Sequence, residues 1–283
     1  MWYGGYWQKM ILSGVIMLLM GCTQYHYRHE TGYRVDLRHQ TDHAPSRIKV
    51  IVLHYTAETL PVSLALLRGD QVSAHYVIAS SPEHDFQTGE PTVIGIVPED
   101  QVAWHAGTSF WRGATRLNDT SLGIELVNQG PFIHDGTQHW AAYPPAQIAA
   151  LLPLLKQLIA RYQIAPENIV AHSDIAPQRK QDPGPAFPWQ WLAAQGVGAW
   201  PNAELVQQHL AGRAAASPVV ESTLLSLLAR YGYAVTPEMS ANERRNVIRA
   251  FQMHFRPANY SGIADAESEA IVCALLQQQN RQQ

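Results

Sequence analysis

The chain contains 283 residues, enough for one large domain or two small ones. Hydrophobic residues make up 46% and charged residues 15%, a composition typical of globular rather than disordered or fibrous chains. The formal net charge of −3 argues against a nucleic-acid partner, which would require a basic patch. The two cysteines, Cys22 and Cys273, exclude a disulfide framework, so any metal site must use His and carboxylate ligands.

The first 22 residues have the pattern of a signal peptide. Lys9 precedes an apolar run at residues 10–21, which is shorter than the ~20 residues of a spanning helix. The run ends in LMGC, which resembles the bacterial lipoprotein processing box and implies a lipid such as palmitate on Cys22. Met20 departs from the small residue usual there, so an uncleaved anchor or a different start is the alternative. Thr23 after the cysteine favours the outer membrane, facing the periplasm.

Residues 23–46 are polar and aperiodic and are interpreted as a tether. The folded part is expected to start at Arg47, and an apolar helical face predicts a helix that ends at Tyr162, with Pro144 and Pro145 in its first turn. Strands are predicted at Ile48–Tyr55, His75–Ala79, Thr92–Val97, Leu122–Val127 and Asn168–His172. Strands mixed with helices predict an α/β domain.

The C-terminal part is predicted to be helical. Residues 201–219 contain AGRAAASP and are interpreted as a linker. Helical patterns follow at Glu221–Tyr231, Asn242–Phe255 and Asp265–Leu276. A bundle of this size has little core of its own, so it is expected to pack on the first domain.

Polar side chains stand where predicted strands end. His54 closes the first strand, Glu125 lies inside LGIELVN, and His172 opens a loop that also holds Lys180 and Asp182. Two His and one carboxylate with an open position form the arrangement of a catalytic zinc, which lowers the pKa of its bound water. A carboxylate that does not bind the metal can then take the water's proton, and Glu125 is the candidate.

The residues alone leave alternatives for each position. A His after a strand, such as His54, is more often structural. A Glu between Ile and Leu is costly when unpaired, so Glu125 also fits a buried salt bridge. The segment Asp182–Pro185 fits a rigid turn, in which Pro183 biases Asp182 towards extended backbone.

Five strings occur in order between residues 47 and 200: VIVLHYTA, VSAHYVI, AWHAG, SLGIELVN and AHSDIAPQRKQDPGPAFPW. Together they resemble the type-2 N-acetylmuramoyl-L-alanine amidases, which are related to peptidoglycan recognition proteins. The resemblance implies a mixed central β-sheet flanked by helices, with the zinc amidase catalytic domain at residues 47–200.

The family's residue roles carry over to matching positions. The resemblance implies that His54, His172 and Asp182 bind Zn²⁺, that Glu125 is the catalytic acid/base, and that Lys180 stabilises the oxyanion. Four further residues fall in segments that line the substrate cleft in relatives: Trp104, His105, Arg116 and Asn118.

One position departs from part of the family. Phage and animal relatives carry a catalytic Tyr before the His of the second strand, whereas Ala74 precedes His75 here. The resemblance leaves that task to Glu125, and His75 is interpreted as packing or support. The string at residues 247–276 resembles a small three-helix peptidoglycan-binding domain, placed at residues 220–276, whose aromatic residues are expected in its core.

The predicted function is hydrolysis of the amide between N-acetylmuramic acid, its anhydro form included, and L-alanine. The expected partners are peptidoglycan or muropeptides, and a membrane through the lipid on Cys22, with a monomeric chain. The alternative is a lipoprotein that binds peptidoglycan without cutting it. Loss of a zinc ligand would mark that class, and all three expected ligands are present. The sequence does not select among intact wall, soluble fragments and anhydro-muropeptides.

Overall fold

The structure is a computed structural model that describes residues 27–41, 44–85 and 87–281. The chain divides into two units, Met1–Pro45 and Ser46–Gln283. The predicted signal peptide at residues 1–22, with its lipid site Cys22, lies outside the described residues.

Part of the predicted tether forms a hairpin in the first unit. Strands β1 (Tyr27–Glu30) and β2 (Tyr33–Asp36) pair antiparallel. The guanidinium carbon of Arg34 lies 4.4 Å from the centre of the Tyr27 ring, within the range of a cation–π contact. With four residues per strand, the alternation is too short to be recognised as a period in the sequence.

The second unit alternates short strands with helices. Its strands are β3 (Val50–Tyr55), β4 (Tyr76–Ile78), β5 (Ile94–Gly95), β6 (Phe110–Trp111), β7 (Ala114–Thr115), β8 (Ser121–Leu126), β9 (Pro131–His134), β10 (Thr137–Trp140) and β11 (Ile169–Ala171). Its helices are α1 (Leu60–Leu67), α2 (Pro145–Tyr162), α3 (His172–Ile175), α4 (Trp189–Ala194), α5 (Ala203–Leu210), α6 (Glu221–Tyr231), α7 (Ala241–Phe255) and α8 (Ala266–Asn280).

Five strands form the central sheet in the order β11-β3-β8-β4-β5. The first four are parallel, and β5 runs antiparallel to β4. The fold is therefore the expected α/β class with a mixed central sheet flanked by helices. Short apolar runs predicted its strands because strands covered on both faces are almost continuously hydrophobic.

The two faces of the sheet follow the two-residue alternation of its strands. Ile51 and Leu53 share a buried cluster with the apolar residues of α2. Val52 belongs to a second cluster, which contains the apolar residues of α6, α7 and α8. Because side chains alternate between faces, His54 and Glu125 lie on the face away from α2.

The C-terminal helices pack on the sheet, as their small size predicts. The ring centre of Trp111 lies 6.0 Å from that of Tyr231, at the end of α6, and 5.1 Å from that of Tyr233 just beyond it. The guanidinium of Arg112 donates a hydrogen bond of 2.8 Å to the Tyr231 carbonyl. Sheet and helices therefore share one core within the Ser46–Gln283 unit.

Residues 201–219, interpreted as a linker, contain helix α5. The Asn202 side chain caps it by accepting a hydrogen bond of 3.0 Å from the Leu205 amide. Near its end, His209 Nε2 lies 2.8 Å from Gln277 Oε1 of α8. Among the helices in the described part of the chain, none is both long enough and apolar enough to cross a membrane.

Candidate active site

Functional side chains meet at the carboxyl ends of the parallel strands, where open α/β sheets hold their ligands. His54 in β3 is the register partner of Glu125 in β8, and His172 begins α3 directly after β11. The following loop returns to the same point because the Ser173 amide donates a hydrogen bond of 3.0 Å to the Asp182 carbonyl.

Three buried side chains converge on one point. His54 Nδ1 and His172 Nδ1 are 2.9 Å apart. Asp182 Oδ2 lies 3.1 Å from His54 Nδ1 and 3.0 Å from His172 Nδ1. In the described part of the chain, these residues are the one His, Cys, Asp or Glu group of three or more whose atoms could hold a metal ion.

The outer nitrogen of His172 determines its tautomer. Nε2 lies 3.1 Å from the Ala106 carbonyl oxygen, which can only accept, so Nε2 carries the hydrogen. The Ala106 carbonyl is itself held in place by Asn118, whose Oδ1 accepts hydrogen bonds from the amides of Ala106 (2.8 Å) and His105 (3.1 Å). In a neutral ring, the Nδ1 lone pair therefore faces the shared point.

A chain of hydrogen bonds determines the tautomer of His54 in the same way. Ser121 Oγ donates to the Leu117 carbonyl at 2.5 Å, so it accepts from His105 Nε2 at 3.1 Å. His105 Nδ1 then accepts from His54 Nε2, also at 3.1 Å. This order leaves the His54 Nδ1 lone pair facing His172 and Asp182.

Two lone pairs and a carboxylate oxygen at one point require a positive charge, either an extra proton or a metal ion. Burial, with the adjacent His172, lowers the pKa of His54 to about 4, which disfavours the proton. Burial alone would raise the pKa of Asp182, but the facing His172 and His54 lower it well below its usual range. Zinc ligands about 2.0–2.2 Å from a tetrahedral centre lie roughly 3.3 Å apart, close to the separations of 2.9–3.1 Å here. The residues therefore fit a metal ion.

Glu125, a half-buried residue, lines the cleft beside this group. Its Oε2 atom is buried and has no hydrogen-bond partner among the described residues. Burial, together with the charge of Asp182, raises the pKa of Glu125 to about 8, although Lys180 opposes the shift. A carboxyl that titrates near neutral pH is suited to both accepting and returning a proton.

The site opens into a cleft of about 390 Å³. Lys180, Trp104 and Tyr55 line it together with the residues that could hold the metal ion. Trp104 is 60% exposed, so its ring is available for contact with a ligand. Sequence reasoning missed Tyr55, although it directly follows His54.

The other predicted cleft residues differ in position. His105 lines the cleft but is largely buried, whereas Arg116 and Asn118 are not among the described residues that line it. Arg116 is exposed in left-handed backbone (φ 56°) and pairs with Asp119 at 3.1 Å. His75 has a supporting role, since its Nδ1 accepts from the Gly123 amide at 3.0 Å.

Sequence comparisons identify relatives of the chain. Residues 44–185 match the family described as N-acetylmuramoyl-L-alanine amidase. The chain is 55% identical over 267 residues to the N-acetylmuramoyl-L-alanine amidase AmiD of Escherichia coli, covering 94% of this chain and 96% of that protein.

Two solved structures cover most of the chain. The complex of E. coli AmiD with anhydro-N-acetylmuramic acid-L-Ala-D-γ-Glu-L-Lys has a TM-score of 0.85 and 56% identity, and covers 89% of this chain and 98% of that chain. The complex of AmpDh3 from Pseudomonas aeruginosa with anhydromuramic pentapeptide has a TM-score of 0.74 and 37% identity. The match covers 93% of this chain and 99% of that chain.

The fold and the site define an amide hydrolase whose buried His and Asp residues could hold a metal ion. More specifically, the chain belongs to the N-acetylmuramoyl-L-alanine amidase family.

Proposed function

We propose that this chain is a zinc-dependent enzyme that hydrolyses the amide between N-acetylmuramic acid, the anhydro form included, and L-alanine in peptidoglycan or muropeptides. The convergence of His54, His172 and Asp182 beside Glu125 is the observation that carries the proposal. The anhydromuramyl peptides bound by two relatives support this class of substrate.

His54, His172 and Asp182 would hold the zinc through Nδ1, Nδ1 and a carboxylate oxygen. Bound zinc supplies Lewis-acid chemistry, which lowers the pKa of water and polarises a carbonyl. The hydrogen bonds through His105 hold the His54 ring in the tautomer with Nδ1 free to bind zinc, and the Ala106 carbonyl does the same for the His172 ring.

Glu125 moves the proton. Its carboxylate takes a proton from the attacking water and returns it to the nitrogen of the leaving L-alanine. Its position next to His54 in the sheet register supports this role, and burial, which raises its pKa, favours the return of the proton.

Lys180 faces the same cleft and carries the positive charge that stabilises the oxyanion. The negative charge of the oxyanion develops only in the transition state, so its interaction with Lys180 lowers the barrier rather than tightening ground-state binding. Trp104 and Tyr55 offer aromatic surface to the substrate on the walls of the cleft.

Anchoring at the outer membrane is part of the proposal. A lipid on Cys22 would anchor the chain in the outer membrane, facing the periplasm, where peptidoglycan is within reach. The LMGC string after an apolar run supports this setting.

Metal content and product analysis of three variants test the proposal. Mass spectrometry of digested muropeptides should show release of peptides that begin with L-alanine. Asp182→Ala should lose zinc, whereas Glu125→Ala should keep zinc and lose roughly 10²–10⁴-fold in kcat. Lys180→Ala should keep zinc and lose roughly 10²–10³-fold. Active protein without zinc, or wild-type turnover by Glu125→Ala, would refute the assignment.

A further inference from the structure

A second recess, of about 210 Å³, lies beside the cleft between residues 177–181 and helix α7. Arg179, Lys180 and Gln181 form one wall, and Asn246 and Arg249 form the other. Ala250 and Met253, both buried, lie at its base.

The recess is cationic. Three of its lining residues are Arg or Lys, and no Asp or Glu of the described chain lines it. Arg179 donates to a neutral acceptor, the Thr108 carbonyl, at 2.6 Å. In the described ranges, neither Lys180 nor Arg249 has an ion-pair partner within 4.0 Å. Uncompensated positive charges in a concave surface favour an anionic ligand.

The recess also shares a wall with the active-site cleft and is held in shape. Arg179 and Lys180 line the cleft as well. Gln178 donates to the Glu243 carbonyl at 3.0 Å and accepts from Asn246 at 3.1 Å. Arg249 is positioned over the Tyr260 ring, 5.6 Å from its centre. A ligand would therefore order little of the protein on binding, which limits the entropic cost.

Given the proposed function, we infer that this recess binds the free α-carboxylate of the γ-linked D-glutamate in the stem peptide, with Arg249 as the specific contact. The γ linkage uses the side-chain carboxyl and leaves the α-carboxylate ionised. D-Glutamate follows the L-alanine released by the reaction, so its carboxylate lies within about 10 Å of the scissile carbonyl, at 3.3–3.6 Å per extended residue. The planar guanidinium fork of arginine matches a carboxylate.

Paired substrates test this assignment. N-acetylmuramyl-L-Ala-D-γ-Glu-L-Lys is compared with its D-isoglutamine form, in which an amide replaces the α-carboxylate. We expect the wild-type zinc enzyme to prefer the acid by roughly tenfold in kcat/KM, mainly through KM, because hydrogen bonds to charged groups are the stronger ones. Arg249→Gln should cleave the two equally, and Arg249→Lys should retain part of the preference. Arg230→Gln, an exposed change of equal charge on α6, should retain all of it.

Calorimetric titration of the zinc protein with L-Ala-D-γ-Glu-L-Lys and its D-isoglutamine form separates the subsite from the reaction. Tighter binding of the acid, lost in Arg249→Gln but not in Arg230→Gln, supports the subsite even if neither muropeptide is cleaved, a result that would refute the amidase proposal alone. An unchanged preference in a folded Arg249→Gln protein would overturn the subsite. An equal loss in Arg230→Gln would also overturn it, because a general charge effect would then explain the preference.

Discussion

His105 packs against Gly123 of β8 and contacts the His54 ring, and both of its ring nitrogens take part in hydrogen bonds. Outer hydrogen-bond partners of metal-binding imidazoles typically contribute 10–100-fold in metal affinity. We therefore expect His105→Ala to weaken zinc affinity by about that factor, as measured by competition with a chelator. His139→Ala, in the exposed part of β10, is the matched control and should not change it. A wild-type zinc affinity in His105→Ala would show that the hydrogen bond between His54 and His105 does not contribute to zinc binding.

Gly123 provides an independent variant of the same contact. A Cβ atom at Gly123 would lie 2.3 Å from Cγ of His105, so Gly123→Ala must displace the ring without removing its imidazole. Zinc affinity should fall as it does for His105→Ala. The small residues Ser121 and Gly123 alternate with Leu122 and Ile124 on β8, and this is the sequence signal for a ring lying on the sheet.

The residues that converge on the metal site were predicted from the sequence more accurately than the residues that line the cleft around them. His54 and His172 were candidates because the ends of parallel strands meet at one edge, and the family resemblance selected Asp182 in the loop that follows His172. Arg116 and Asn118 stand on an aperiodic segment with left-handed backbone at Arg116. Side-chain direction there depends on tertiary contacts, which a pattern of residue types does not contain.

Helix α3 is joined to the C-terminal helices through one buried carboxylate. Asp174 accepts hydrogen bonds from the Ala171 amide at 2.8 Å, from Tyr233 Oη at 2.6 Å and from His254 Nδ1 at 2.7 Å. The His254 ring also stacks on Trp189, with centres 3.8 Å apart. Because α3 carries His172 at its first position, these contacts also hold the loop that returns to the site.

His254→Ala should therefore affect both folding and metal retention. It leaves a cavity and removes a hydrogen bond to a buried carboxylate, together worth about 2–4 kcal/mol of unfolding free energy. Zinc should also dissociate faster into excess chelator. His209→Ala, which removes a contact between α5 and α8, is the comparison and should leave zinc release unchanged. Unaltered unfolding and zinc release in His254→Ala would show that Asp174 does not depend on this partner.

Glu99 joins β4 to the end of α2. Its carboxylate accepts hydrogen bonds from Tyr76 and Tyr162 and pairs with Arg161 at 2.6 Å. Burial alone would raise the pKa of Glu99, but the hydrogen bonds from Tyr162, Tyr76 and Arg161 outweigh it and lower the pKa. A lowered folded-state pKa stabilises the fold above the unfolded value and loses that effect as pH falls through the folded value.

Glu99→Gln should consequently lower Tm at pH 7, and the difference from wild type should shrink as pH falls below about 4. Thermal unfolding followed by circular dichroism from pH 7 to pH 3 measures this. Glu238→Gln, at an exposed position, should show no such convergence. A Tm difference independent of pH would mean that the carboxylate's charge is not what stabilises the contact.

Helices and strands with a long or continuous apolar pattern were predictable from the sequence. Short helices that are stabilised mainly by contacts with other elements were not. Helix α2 has an apolar face over 18 residues, and all five predicted strands end within two residues of the observed limits. Helix α5 has eight residues and adjoins an Ala-rich linker-like string. Its stability depends on the Asn202 cap and on α8, so its residues alone indicated a linker.

At the scale of the whole molecule, the catalytic part and the C-terminal helices are not separable. Val52 and Val170 of the sheet, Trp111 and the apolar residues of α6–α8 form one buried cluster. Removing the helices would expose Val52 and Val170 of the sheet to water, and burial of apolar area is the main favourable contribution to folding. The helical segment was predicted as a small domain that packs on the first one, but a sequence pattern does not show which residues of the sheet its helices contact.

Two truncations should therefore behave differently. Removal of residues 1–45 leaves the Ser46–Gln283 unit intact and should yield a protein with wild-type Tm, zinc content and muropeptide cleavage, but without membrane association. A chain that ends at Trp200 should be insoluble or lack a cooperative thermal transition. Full-length Cys22→Ser separates anchoring from folding, since it should leave the membrane fraction and unfold like wild type. Circular dichroism, zinc content and membrane fractionation measure these outcomes. A cooperative, zinc-binding protein ending at Trp200 would contradict the shared core, because the sheet would then be stable without the helices.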